Sequence, residues 1–434
     1  MLHQIKSLVP SALLRVYHYV LARAAVLAYG HPSRRLVVIG VTGTNGKSTT
    51  VNLISKILEH SGEKVGFTTT INFKVGDREW LNDTKMTMLG RFKLQKLLKE
   101  MVDAECRYAV IETSSQGLDQ YRHLGIEYDA AVFTNLAPEH LEAHGGFENY
   151  KNAKAKLFRH LTDFPNKVID GKKIPKIIAV NADDEYSGYF YDFPADRKIS
   201  YSIENFSDFK ADNITLAPDY SAFDIYDTHF EINLPAKFNI YNSLAAIAVT
   251  SALGVKIEQA RDAFAAIKFI PGRLEYIEGG QNFKIMVDYA PEPNSLAELY
   301  SLIKQVPKNK LIHVLGSAGG GRDKARRPIL GRMAGEVADY VIVTNEDPYD
   351  EDPMEIIDAV AKGAIAAGKV LDENLFKRYD RKEAIEKAIG LADEGDFVLV
   401  TGKGAEQAIA VAKGKKIKWD DRKVIREILK SKIR

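Results

Sequence analysis

Thr42-Gly43-Thr44-Asn45-Gly46-Lys47-Ser48-Thr49-Thr50 puts two glycines, a lysine and several hydroxyls into one short stretch. That mixture suits a nucleotide phosphate. Glycines let backbone amides approach the phosphate oxygens, and a helix starting here adds partial positive charge. Lys47 would neutralise the β- and γ-phosphates, and the Ser48 hydroxyl would ligate Mg²⁺. The strict pattern has a further glycine where this chain has Val41, so the loop is a shorter GxxGKS form. Downstream, Glu112 ends an apolar run and is followed by Thr113-Ser114-Ser115. A carboxylate at the carboxyl end of a parallel strand faces the same crevice as a phosphate loop. Glu112 is therefore placed to hold a metal, although a surface strand-end glutamate has the same pattern. His140 and His144 stand four apart, as two zinc ligands on one helix face would. Position 141 is leucine, not the glutamate of a zinc protease, and Gly145-Gly146 would stop such a helix, so the pair argues weakly for zinc. Lys151, Lys154 and Lys156 follow on a helix over Phe147–Leu161, where lysines are ordinarily solvated.

The elements that must position these groups read as α/β. Leu36–Val41, Tyr108–Ile111, Ala130–Phe133, Lys176–Val180, Lys310–Leu315, Tyr340–Thr344 and Phe397–Thr401 are apolar runs separated by helical patterns. That alternation predicts parallel sheets. Residues 196–235 alternate instead, as in Phe223–Asp227 and His229–Leu234, and read as antiparallel hairpins on one edge of the central sheet. A break falls near Ile270-Pro271-Gly272, with Lys284–Val287 opening a second α/β unit. The expected plan is a basic apolar helix over 1–34, a central P-loop-type nucleotide-binding domain over 35–270, and a C-terminal Rossmann-like α/β domain over 271–434.

At 434 residues, the chain is long enough for about two to three domains. With 45% hydrophobic and 27% charged residues it is neither disordered, collagen-like nor a polytopic membrane protein. Net charge is 60 − 58 = +2, which argues for no nucleic-acid partner. A single cysteine, Cys106, excludes a disulfide framework within one chain and fits a reducing compartment. The expectation is a cytoplasmic protein. No acid precedes Glu59. Ser11–Tyr29 reads as a strongly apolar helix capped by Ser11, stopped at Gly30-His31-Pro32 and interrupted by Arg15 and Arg23. It is expected to pack on the next domain. The second reading lays it on the inner face of a membrane as a peripheral contact.

TGTNGKST, ETSSQGL, FTNLAPEHLEAHGGFENYKNAKAKLF, FNIYNSLAA, PGRLE, VDYA, GRDKARRP and GKGAE occur in that order. In order and spacing they resemble the Mur ligases, most closely the tripeptide-forming branch (MurE), over about residues 36–425. The resemblance implies an ATP-dependent ligase of peptidoglycan synthesis that adds an amino acid to a muramoyl peptide through an acyl phosphate. It implies nucleotide contacts from Gly43, Thr44, Asn45, Gly46, Lys47, Ser48, Thr49, Asn239, Asn242, Arg273 and Asp288. It implies one Mg²⁺ on Ser48 and Glu112 and a second near Glu112, His140 and a carbamylated Lys154. Lys47, Glu112, His140 and Lys154 are then the catalytic set. Thr87, Ser114, Ser115, Asp347, Tyr349, Gly402 and Glu406 would face the muramoyl-peptide-like acceptor or the amino acid.

The chain departs from the family pattern at several places. Histidines of the family motifs are replaced by Gln116, Pro291 and Ala405. The DNPR segment reads Glu346-Asp347-Pro348-Tyr349, so the arginine that would grip the distal carboxylate of diaminopimelate is Tyr349. A lysine-like or ornithine-like substrate is the expectation, with Asp347 accepting its amine. The family's UDP-binding domain would precede the core, where about 35 residues are too few to form one. Folylpolyglutamate synthases lack that domain too and are the same-class alternative, although they read GKGS where this chain has Gly46-Lys47-Ser48-Thr49. A non-catalytic nucleotide-binding scaffold is the different-class alternative. Oligomeric state is not readable from these residues.

Overall fold

A computed structural model describes residues 11–138, 144–321 and 323–432. The chain folds into two units. The first takes the described residues up to Thr215, Ala222–Ile232 and Lys237–Ile267; the second takes Leu216–Ser221, Asn233–Ala236 and the described residues from Lys268 onward.

The first unit is built on strands β1 (Val37–Thr42), β2 (Val65–Thr68), β3 (Asn72–Val75), β4 (Arg78–Leu81), β5 (Tyr108–Glu112), β6 (Ala130–Phe133), β7 and β8 (Val168–Ile169 and Lys172–Lys173), β9 (Ile177–Asn181), β10 (Arg197–Ser202) and β11 (Phe209–Lys210). All but the small β7–β8 hairpin join one nine-stranded sheet in the order β11-β10-β9-β6-β1-β5-β2-β3-β4. Every pairing from β11 to β2 is parallel, and β3 and β4 extend the sheet antiparallel. Each residue of β1 is buried, as a central strand covered on both faces requires. The main helices described in this unit are α1 (Ser11–Tyr29), α2 (Lys47–His60), α3 (Arg91–Asp103), α4 (Ser115–Asp119), α5 (Phe147–His160), α6 (Lys237–Ala252) and α7 (Ile257–Ala265), with a further short helix at Ser187–Tyr191.

The expectation for residues 196–235 is corrected. β10 and β11 do close one edge of the main sheet, but they run parallel to β9 and are not antiparallel hairpins. The later strands β12 (Asp212–Leu216), β13 (Ser221–Ile225) and β14 (Thr228–Ile232) form a three-stranded sheet of their own. The chain between β9 and β10 includes the helical turn Ser187–Tyr191, which supplies the crossover that a parallel return needs.

A buried cation ties the chain after α1 to this sheet. Lys167 Nζ donates to Ser33 O at 2.9 Å, Leu36 O at 2.8 Å and Asp129 Oδ2 at 2.6 Å, and also to Glu127 O. Asp129, fully buried, accepts in addition from Val38 N at 2.8 Å.

In the second unit, β15 (Glu275–Tyr276), β16 (Lys284–Val287), β17 (Leu311–Leu315), β18 (Tyr340–Thr344), β19 (Leu375–Arg378) and β20 (Phe397–Val400) form a sheet in the order β15-β16-β20-β17-β18-β19. Only the β15–β16 pair is antiparallel. β21 (Ala408–Val411) and β22 (Lys415–Lys418) make a separate hairpin.

Candidate active site

Parallel register gathers the first unit's chemistry at one edge. Val41 pairs with Glu112, and Thr42 with Phe133, so the glycine-rich loop, Glu112 and Thr134 all leave the sheet at carboxyl ends. This is where strand order reverses around β1, the place open α/β sheets use for ligands. The loop from Gly43 to Gly46 closes on the opening of α2, with Gly46 at φ 81°. Two side chains leave no room for larger residues there. A Cβ on Gly43 would lie 1.9 Å from Thr134 Oγ1, and one on Gly46 2.1 Å from Asn242 Oδ1.

Several of the loop's partners are neutral dipoles. Thr44 N donates to Asn135 O at 2.8 Å, Asn45 N to Asn135 Oδ1 at 2.8 Å, and Thr134 Oγ1 to Asn45 O at 2.7 Å. Thr44 Oγ1 lies 3.1 Å from Tyr150 OH. Lys47 Nζ folds back onto Thr44 O at 2.6 Å. On α6, Asn242 Nδ2 donates to Asn239 Oδ1 at 3.1 Å, and Thr50 Oγ1 reaches Asn242 Oδ1 at 3.4 Å. Thr49, next to Thr50, is buried in the first turn of α2.

Glu112 is buried and accepts from Ser48 Oγ at 2.7 Å, Thr70 N at 2.7 Å and Thr70 Oγ1 at 3.0 Å. Thr70 Oγ1 is also 3.0 Å from Thr87 Oγ1. Ser48, Glu112, Thr70 and Thr87 thus form a continuous run of oxygens beside the loop. Hard oxygen donors with one carboxylate fit Mg²⁺, which takes one or two carboxylates and completes its shell with water and phosphate. Among the described residues no cluster of three or more acidic, histidine or cysteine side chains offers an all-protein metal cage.

Lys154 is buried, and its Nζ donates to Gly43 O at 2.6 Å and sits 4.3 Å from the Tyr150 ring centroid. Register on α5 puts Lys154 on the loop, while Lys151 pairs with Glu148 at 2.8 Å and Lys156 with Asp119. His144 Nε2 lies 3.1 Å from Ser115 Oγ, and its Nδ1 2.8 Å from Asp119 Oδ2. Burial would raise the Asp119 carboxyl, yet His144 and Lys156 hold it below its usual value. Ser114 caps α4, accepting from Gly117 N at 3.2 Å. His140 lies outside the described residues.

The second unit collects charge at its own carboxyl edge. Lys403, fully buried after β20, donates to Asp347 Oδ1 at 2.9 Å, Glu406 Oε2 at 2.7 Å and Ala408 O at 2.7 Å. Asp347 Oδ1 accepts from Ala410 N as well, at 2.7 Å. Its charge is therefore met within the chain. Beside it, burial and then the Asp347 charge push the Glu346 carboxyl up to about 7. A Cβ on Gly402 would lie 2.6 Å from Glu346 Oε2. Tyr349 takes φ 53°, donates its N–H to Ala410 O at 3.1 Å and lays its ring against Gly320. Asp288 receives Leu274 N at 2.8 Å and Ala290 N at 2.9 Å, and burial raises its carboxyl despite nearby Arg273. Arg273 stacks on Tyr289, 4.6 Å from the ring centroid.

Two family matches cover most of this architecture: Mur ligase middle domain over residues 41–250, and Mur ligase, glutamate ligase domain over 272–404. A UDP-N-acetylmuramyl-tripeptide synthetase of Roseiflexus sp. (strain RS-1) is 38% identical over 423 residues, covering 95% of this chain and 82% of the relative. This chain belongs to the Mur ligase family. A UDP-N-acetylmuramoyl-L-alanyl-D-glutamate--2,6-diaminopimelate ligase of Geobacillus thermodenitrificans (strain NG80-2) is 38% identical over 417 residues, 94% of this chain and 82% of that one. A solved ligase of the same name superposes with TM-score 0.59 at 28% identity, covering 92% of this chain and 79% of the other. Folylpolyglutamate synthase of Mycobacterium tuberculosis shares the fold, with TM-score 0.68 at 17% identity and coverage of 88% and 91%.

For this Mur ligase the α/β expectation holds, and so does the ATP-dependent ligase class. ATP and Mg²⁺ are the family's cofactors. Sequence reasoning missed Thr70 and Tyr150, the pairing of His144 with Asp119, and the engagement of Asp347 and Glu406 by Lys403. Thr68-Thr69-Thr70 was a visible signal: a hydroxyl run closing a short apolar strand at the carboxyl edge.

Proposed function

We propose that this chain couples ATP cleavage to joining an amino acid onto the peptide carboxylate of a muramoyl-dipeptide-like acceptor. The carboxylate oxygen attacks the γ-phosphorus, ADP leaves, and the amino group then displaces phosphate from the acyl phosphate. Such chemistry asks for positioning and charge neutralisation. The observation that carries this reading is the Ser48–Glu112 contact at 2.7 Å. It sets a carboxylate and a hydroxyl at the head of a glycine-rich loop that opens a helix and carries Lys47. Mg²⁺ held by Ser48 and Glu112 would neutralise the phosphates.

Lys154 is the proposed site of carbamylation. Its amine attacks CO₂, forms an N–C bond and loses a proton, turning a cation beside Gly43 into an anion suited to a second metal. Lys154→Ala should lose nearly all activity, and formate should restore part of it. A full rate in the variant would remove Lys154 from the mechanism.

The amino acid proposed is a diamino acid without a distal carboxylate. Tyr349 has no charge to pair with one, and Lys403 already engages Asp347, so the argument rests on Tyr349. Phosphate release measured with UDP-muramoyl dipeptide and either lysine, ornithine or diaminopimelate tests the whole proposal. Release with none of them, together with release on a folate and glutamate, would move the chain to the folylpolyglutamate alternative.

A further inference from the structure

Helix α1 is apolar on both sides. Ala22, Ala25 and Val26 are buried, and Gly125 leaves the space Val26 fills, since a Cβ there would lie 2.2 Å from Val26 Cγ2. The opposite side carries Leu13, Val16, Tyr17, Tyr19, Val20 and Leu27, between 44% and 72% exposed. A helix apolar all round is normally covered all round. A contiguous exposed patch of this kind marks a contact surface.

The charge of the chain segment that carries the patch has one sign. No acid occurs before Glu59. Arg23 stands within the patch, its Nε donating to Tyr19 OH at 3.2 Å and its guanidinium 5.3 Å from the Tyr19 ring centroid. It makes no ion pair among the described residues. Arg91 opens the helix α3 that packs against α1, and its guanidinium donates to Gln120 O. The exposed Phe92 and Lys93 follow it. Arg34 is a different case, paired with Glu127 at 2.7 Å.

We propose that this face of α1 docks on an anionic lipid surface. The aliphatic side chains enter the boundary between headgroups and acyl chains, while the tyrosine hydroxyls, Arg23 and Lys93 stay among the headgroups. Among the described residues no helix is long and apolar enough to cross a membrane, so α1 lies in the interface plane. A second copy of the chain is a poorer cover. Two such faces would bring arginines together with no acid from the same segment to pair them. The proposal stands independently of the ligase reading.

Flotation of the full-length protein with vesicles at low salt tests it. Phosphatidylglycerol-containing vesicles should bind at least about tenfold more protein than pure phosphatidylcholine, and salt should weaken the binding. The double variant Val16→Glu, Val20→Glu should lose about tenfold in binding with melting temperature and phosphate release unchanged, and Arg23→Glu should lose several-fold. No association of the full-length protein with anionic vesicles overturns the proposal. So does association undiminished in the double variant. A dimer in sedimentation equilibrium that the double variant turns into monomer, without vesicle binding by either, assigns the face to a second copy.

Discussion

The carboxyl edges of the two sheets solve the problem of charge in opposite ways. In the first unit the loop over Gly43–Ser48 is braced by backbone groups, amides and hydroxyls, with Glu112 as its carboxylate. Its lysines, Lys47 and Lys154, donate to the carbonyls of Thr44 and Gly43. In the second unit Lys403 sits between Asp347 and Glu406, and Arg381, fully buried, holds Asp421 through paired contacts of 2.8 and 2.7 Å. The first edge places hydroxyls, amides and two lysines around one carboxylate. The second is neutralised from within. Substitutions at the first should therefore cost rate, and at the second should cost stability.

Lys403→Met is the sharpest way to break this contrast. Removing one partner of a buried charge cluster costs about 3–5 kcal/mol. Chemical denaturation should show that loss. A variant as stable as the parent would mean Asp347 and Glu406 are hydrated or protonated. At the first edge, Lys47→Ala and Glu112→Gln should fold normally and lose roughly 10²–10³-fold in phosphate release, as loss of a group stabilising transition-state charge does. A near-normal rate in Lys47→Ala would remove the loop from catalysis.

A third effect belongs to Glu346. Its folded-state pKa, about 7, stands above the ordinary 4.5 because burial and Asp347 disfavour its charge. An acid whose pKa is raised on folding binds its proton more tightly in the folded chain. Its contribution is intact below pH 4.5 and is lost as pH rises through about 7. The loss is on the order of 3 kcal/mol. Urea midpoints for the parent should therefore fall between pH 5 and pH 8 by more than those for Glu346→Gln. Equal falls would place the titration elsewhere. The smallest effect is expected at Tyr349. Tyr349→Arg should shift preference toward diaminopimelate by about tenfold, the order of one charge-assisted bidentate contact. An unchanged ratio of rates for lysine and diaminopimelate would put the distal end of the amino acid away from residue 349.

The same contrast explains what could be read before any coordinates. A glycine-rich turn between strand and helix is written in consecutive residues, so Gly43–Thr50 announced its element order. The parallel strands were legible because strands buried on both faces are continuous apolar runs, as in β1, β5 and β6. β10 was not, because Arg197–Ser202 is half-exposed and its partner was set by the crossover before it. The Lys403 cluster joins residues 56 apart on two strand ends. No local pattern encodes that meeting. Asp347 looked like a free acceptor for the same reason.

Lys167 fixes where this chain can be shortened. Helix α1 ends at Tyr29, whereas the buried ammonium takes carbonyls from Ser33 and Leu36. Ser33 Oγ also bonds Gly125 O and receives Glu127 N. Trimming that stops before His31 would take away the apolar helix and keep all of those acceptors. Trimming that continues through Ser33 would strip a buried cation of part of its coordination and loosen the turn leading into β6. Any minimal version of the first unit is thus delimited by a lysine more than a hundred positions downstream of the cut.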